Sequence, residues 1–341
     1  MSLRHAFAGL FIGIAPVPAF ALCAGQGIEA YLSAPTIEAV DQAVAQIPYS
    51  NGITWKASRG TDEVLLWGSV HIWDPRLEFL SGMVQHDLET VDQLLVEMTL
   101  DDQAVMQTEM IADPSKLLLP EGQRLIELVD EPTWELIKEA AIARGLPTVM
   151  AARLQPWYLL VMIGTPPCAM QDIVNGLNGL DSIVMQDAVA LDIPTTSLED
   201  WRTTLEILSG PSIEDQIDLM KLSLVGSEFE NALFMSTLDS YFSGETARVW
   251  ELSRAALALT PEGITPEATE TFEALTAELL VNRNIAWIPV IEEAAANGKT
   301  LALFGAAHLP GEYGVLNLLE QNGWTVIPHP WAEDWPAAPA Q

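Results

Sequence analysis

The stretch Leu301-Ala-Leu-Phe-Gly-Ala-Ala-His308-Leu-Pro-Gly-Glu-Tyr-Gly314 sets the reading of the whole chain. Four apolar residues in a row predict a short buried strand, and the glycine after them lets the backbone turn sharply. A histidine is thereby delivered just past the strand end. The same pattern occurs earlier, in Val64-Leu-Leu-Trp-Gly68-Ser-Val-His71-Ile-Trp-Asp-Pro75. Both read as a strand, then Gly-x-x-His, then a turn containing proline, so two histidines are expected to be presented alike.

Working outward, Gly52–Arg59 and Glu63–Trp67 predict a hairpin that turns at Gly60-Thr-Asp62. Leu94-Leu-Val-Glu97 predicts a short buried strand that runs into a carboxylate. Ile193–Leu198 reads as another strand, ending on Glu199, and Gly323–Ile327 as a last one. Helical spacing is expected over 27–47, 77–93, 101–110, 121–129 and 132–144, and again over 212–259 and 267–296. The fold class is therefore α/β: a central sheet closed by the N- and C-terminal parts of the chain, with a helical insert between, at roughly 100–260.

In such sheets ligands bind beyond the carboxyl ends of the strands. His71, Glu97 and His308 all fall at or just after such an end. If the strands are parallel neighbours, the three side chains share one rim. Two imidazoles and a carboxylate with an open position are the ligand set of a hydrolytic metal centre. Asp181, after the glycine-rich Asn175-Gly-Leu-Asn-Gly179, could orient a histidine, ligate the ion, act as general base, or simply cap a helix. Arg283 could steady an oxyanion or pair with Glu199 or Glu278. Cysteine nucleophiles, a Gly-x-Ser-x-Gly elbow, phosphate loops, dinucleotide fingerprints and a His-Glu-x-x-His helix are all missing from the sequence.

The balance of 15 basic against 47 acidic residues gives a formal charge of −32, which excludes nucleic acid as a natural partner. At 49% hydrophobic and 18% charged, the 341-residue chain is globular in composition. Residues 1–21 read as a signal peptide: Arg4 and His5, an apolar run from Ala6, and cleavage after Ala21 in Ala19-Phe-Ala21. The mature chain, 22–330 plus a tail at 331–341, is expected in the periplasm or outside the cell, with no transmembrane segment. In that oxidising setting the two cysteines, Cys23 and Cys168, are expected to form a disulfide.

In chain order, Gly68-Ser-Val-His71, Leu95-Val-Glu97, Arg153-Leu-Gln-Pro-Trp157, Gly179-Leu-Asp181, Leu198-Glu199 and Arg283-Asn284-x-x-Trp287 resemble the TraB/GumN family. The resemblance continues through Gly305-Ala-Ala-His308-Leu-Pro-Gly311-x-x-Gly314 to Gly323-Trp-x-Val326. That family is related to the TIKI proteins, metal-dependent proteases with two Gly-x-x-His motifs and a glutamate. The resemblance implies His71, Glu97 and His308 as metal ligands, Arg283 as a supporting cation, and manganese or cobalt, then zinc, as the metal. Three function classes follow: a peptidase acting on peptides or small proteins, a non-catalytic peptide- or haem-binding protein, and a structural envelope protein.

Overall fold

The computed structural model describes residue 23, residues 25–260 and residues 263–329. The expected signal peptide and C-terminal tail lie outside the described residues. Six strands form one mixed sheet: β1 (Thr54–Arg59), β2 (Asp62–Ser69), β3 (Gln93–Val96), β4 (Thr195–Ser197), β5 (Thr300–Gly305) and β6 (Thr325–Pro328). Their order across the sheet is β4-β3-β5-β2-β1-β6. The sheet is open, with β4 and β6 at its edges, and is not closed as the sequence led us to expect. Both ends of the chain do build it: β5 sits between β2 and β3 and pairs parallel with each.

Period-two alternation explains the layers. In β5, Leu301 and Leu303 face one core, and Ala302 and Phe304 face the other. The first core is filled from the helices Leu77–Leu88, Leu180–Ala190 and Ser227–Ser243. The second takes Trp287, Ile288 and Ile291 from Arg283–Asn297, with Leu316 and Leu319 from Val315–Gln321. The central strands are thus buried on both faces, and this is why β2 and β5 read as unbroken apolar runs. A separate cluster packs within the intervening helices, with Trp134, Ile137, Leu159 and Ile217 among its members.

Two helix expectations are corrected. The stretch Glu121–Val129 contains only the 3-10 turn Leu125–Glu127. Gly122 adopts φ +87°, which breaks the periodicity, and Arg153 donates to the carbonyls of Leu119 and Gln123 and holds the segment as a loop. The helix expected over 77–93 ends at Leu88, because Gln93 already belongs to β3. The capping box Ser212-x-x-Asp215 forms as the spacing indicates. The structure joins Cys23 to Cys168 with their Cα atoms 5.1 Å apart, 145 positions apart in sequence. Among the described residues, no helix is long and apolar enough to cross a membrane.

Candidate functional site

The parallel trio β2, β5 and β3 brings three side chains to one rim. The register sets how. Gly68 pairs with Phe304 and Ser69 with Gly305, so the two Gly-x-x-His motifs are offset by one residue. The histidines are therefore not presented alike. After Gly305 the chain tightens into the 3-10 turn Ala306–His308 and buries His308, which is 4% exposed. After Ser69 it stays open, and 66% of the His71 side chain meets solvent.

Gly305 lies where the three groups meet. A Cβ built there would stand 3.3 Å from Glu97 Oε1, 3.6 Å from His71 Nε2 and 3.6 Å from His308 Cδ2. The glycine leaves that space to the site. Its backbone N–H also donates to Glu97 Oε1 at 2.7 Å and aims the carboxylate. Gly179 serves the opposite wall: a Cβ there would fall 2.2 Å from the Val70 carbonyl oxygen and 2.3 Å from the His71 carbonyl carbon. Leu180 N–H donates to the same Val70 carbonyl at 3.0 Å, which docks a helix start against the His71 loop. This places Asp181 Oδ1 3.1 Å from His71 Nδ1. Gly179 is the N-cap and Asp181 lies in the first turn, so Asp181 is not the cap residue.

On the other side, Arg283, Asn284 and Trp287 come from one helical turn, which follows the π-helical stretch Ala277–Asn282. Asn284 donates through Nδ2 to the Tyr313 carbonyl at 2.9 Å, so its Oδ1 accepts from His308 Nδ1 at 2.6 Å. The His308 lone pair is thereby left on Nε2, where Arg283 Nη1 approaches to 3.4 Å. Trp287 lies against the same imidazole, ring centroids 4.4 Å apart. Arg283 Nη2 donates to Glu97 Oε2 at 2.6 Å, and its Nε donates to Glu199 Oε1 at 2.9 Å. Glu199 also accepts from Trp287 Nε1 at 3.0 Å.

These charges shape the titration. Burial pushes Glu97 upward, but His308, His71 and Arg283 outweigh it and hold the carboxyl down at about 2. His308 is lowered to about 3, first by burial and then by Arg283 and His71, against the pull of Glu97. It is therefore neutral at physiological pH. The Asp181 carboxylate raises the His71 pKa above an ordinary imidazole's, and solvent at this exposed ring screens part of that attraction.

Two imidazoles and a carboxylate are donor types that ligate divalent cations. Each imidazole has Nδ1 turned toward an oxygen of an outer residue, Asp181 or Asn284, and a carboxylate stands beside them. Their placement is not that of a formed metal site. Arg283 occupies Glu97 Oε2, and among the described residues no three His, Cys, Asp or Glu side chains stand close enough to hold an ion as they are placed. The cleft above this group, a cavity of about 280 Å³, is also lined by Met98, Gln103, Trp201 and Thr204.

All five residues singled out in the sequence, His71, Glu97, Asp181, Arg283 and His308, lie in this one cluster. Glu199, Asn284 and Trp287 join them without having been assigned a role in chemistry. Their only signal was position: Glu199 at a strand end like Glu97, the other two in the Arg-Asn-x-x-Trp run. A hydroxyl relay fixes the two acids relative to each other. Thr99 N–H donates to Ser197 Oγ at 3.1 Å, and Ser197 donates to Asp102, which forms a capping box with the N-cap Thr99 of the helix starting at Leu100. β3 and β4 are thus tied just beyond Glu97 and just before Glu199. No curated protein and no solved structure matches the chain. The model of the TraB/PrgY/gumN family matches residues 53–328, a span that holds every strand and all of this cluster, and the chain belongs to that family.

Proposed function

We propose that this protein is an exported metal-dependent hydrolase that cleaves peptide bonds in a peptide or small-protein substrate. The observation that carries the reading is the convergence of His71 Nε2, Glu97 Oε1 and the His308 ring on the vacant Cβ position of Gly305. His71, Glu97 and His308 would hold the ion, with manganese or cobalt the first candidates and zinc the next. A bound divalent cation supplies Lewis acidity for the scissile carbonyl and lowers the pKa of an attacking water.

The remaining work falls to the chain itself. Asp181 and Asn284 face Nδ1 of the two imidazoles, which leaves Nε2 as the ligating nitrogen of each once Arg283 Nη1 withdraws from that of His308. Arg283 has two carboxylate partners, so its Nη2 can leave Glu97 while Nε stays on Glu199. Released in this way, the guanidinium offers hydrogen bonds to the oxyanion that forms as the carbonyl is attacked. Glu97, freed of one partner, has lone pairs for the ion or for a water proton. The cavity of about 280 Å³ is small for a haem and suits a stretch of peptide, which favours hydrolysis over porphyrin binding.

The test is digestion of a peptide library by the purified mature chain with added manganese, followed by mass spectrometry. Cleavage that a chelator abolishes, and that Glu97→Gln lowers by about 10²-fold or more, is the expected result. No cleavage under any divalent metal would contradict the reading.

A further inference from the structure

His71 lines two cavities. One is the cleft over Glu97 and Arg283. The other, of about 290 Å³, shares His71 with the first and none of its other lining residues. Its apolar walls come from Val70 and Ile72 beside His71, Ile163 at the end of the helix Pro156–Gly164, and Val225, Leu233 and Phe234 at or near the helix Ser227–Ser243. Four of these six, Val70, Ile72, Leu233 and Phe234, are only partly buried, so apolar surface remains available inside the cavity.

The one carboxylate in the lining carries no free charge. Glu230 accepts from Arg144 Nη2 at 2.9 Å, and Arg144 also donates to the carbonyls of Ala140 and Thr165, at 2.9 and 2.8 Å. The contrast with the first cavity is sharp, because that one presents Glu97, Asp181 and Glu199. At about 290 Å³ the second space falls near the lower bound, roughly 300 Å³, of pockets that take whole small ligands. It is sized for part of a substrate whose reacting part lies beyond His71.

We propose that this second cavity is a specificity pocket. It receives an apolar side chain, of the size of leucine or phenylalanine, from the substrate residue next to the bond cleaved. The proposal rests on the hydrolase reading above. A charged side chain is disfavoured because it would be desolvated against Ile72, Leu233 and Phe234, with Glu230 already held by Arg144 and His71 already facing Asp181. A small side chain leaves the walls wet and forfeits the burial of apolar surface.

Gly164 supplies a clean test. It lines the cavity, is exposed, and a Cβ there meets nothing within 4 Å, so a large side chain can be added without disturbing the core. End-blocked peptides carrying Leu, Phe, Ala, Asp or Lys at the residues flanking a cleaved bond would be compared by kcat/KM. The expected preference for Leu or Phe over Ala is about tenfold or more on one side of the bond. In Gly164→Trp, and independently in Thr237→Leu from the opposite wall, that ratio should fall to within about twofold of unity. A wild-type profile with no apolar preference, or a preference that survives both substitutions, overturns the pocket. If no peptide is cleaved at all, the hydrolase reading fails and the pocket is judged by binding. Fluorescence polarisation of the same peptides, dye-labelled, should then show tighter binding of Leu than of Ala or Asp, lost in Gly164→Trp. Equal or undetectable binding across the set also overturns it.

Discussion

Gly305 and Glu97 are joined by a 2.7 Å hydrogen bond from the glycine N–H to the carboxylate, and the same glycine withholds the Cβ that would crowd it. Orientation and space thus come from one residue. Gly305→Val should therefore lower peptide cleavage by about 10²-fold or more, since displaced catalytic groups lose alignment. Stability should also fall, by about 1–3 kcal/mol, because the added methyls overpack the buried Glu97 and His308. Kinetics and thermal unfolding of the variant check both halves.

In the proposed mechanism Glu199 is the anchor that holds Arg283 while it releases Glu97. Its carboxylate accepts from Arg283 and from Trp287, and replacing it with a neutral amide leaves a buried guanidinium short of one anion. Glu199→Gln should destabilise the protein by about 2–3 kcal/mol. It should also lower kcat more than it raises KM, as Arg283 shifts its remaining charge onto Glu97. Urea unfolding and steady-state kinetics together test this.

Asp102 links pH to the placement of the two acids. Hydrogen bonds from Ser197 and then from Thr99 hold its carboxyl below the usual value of 3.8. A depressed folded-state pKa means that the stabilisation is fully present above pH 3.8 and is lost as pH falls through the lower folded value. The stability advantage of the wild type over Asp102→Asn should accordingly be constant from neutral pH down to about 5 and shrink below about 4. Paired unfolding curves across that range would show it, and an advantage that grows on acidification would refute it.

The sheet was legible because its central strands are buried on both faces. Leu301–Phe304 and Val64–Trp67 announce themselves as apolar runs, and His308 and His71 beyond their ends share a rim with Glu97 once β2, β5 and β3 prove parallel. Periodicity gives a face but not a partner across the fold. The bond between Arg283 and Glu97 spans 186 positions and had no local signature. Nor did the one-residue offset that buries His308 and exposes His71, since register depends on β2 and β5 meeting. The second cavity was invisible for the same reason: its walls at Val70, Ile163 and Leu233 meet only in the folded chain. The loop at 121–129 misled because Arg153, far along the sequence, supplies the bonds that a helix would have made.

The disulfide is the one covalent tie on the second cavity's wall, two residues beyond the lining Pro166. With 145 positions between its cysteines, the chain-entropy account assigns it about 5 kcal/mol. Mature protein in reductant, or carrying Cys168→Ser, should show a corresponding loss in denaturant unfolding. An unchanged midpoint would mean that the bridge does not form.

In the proposed function His71, Glu97 and His308 hold one divalent cation between them. The most direct measurement is calorimetric titration of manganese into metal-stripped mature protein, repeated with His71→Ala and His308→Ala. One site per chain is expected in the wild type, with affinity reduced by at least about 10²-fold in each variant, since each loses a ligand. Absence of binding in the wild type, or affinity unchanged in both variants, would contradict it.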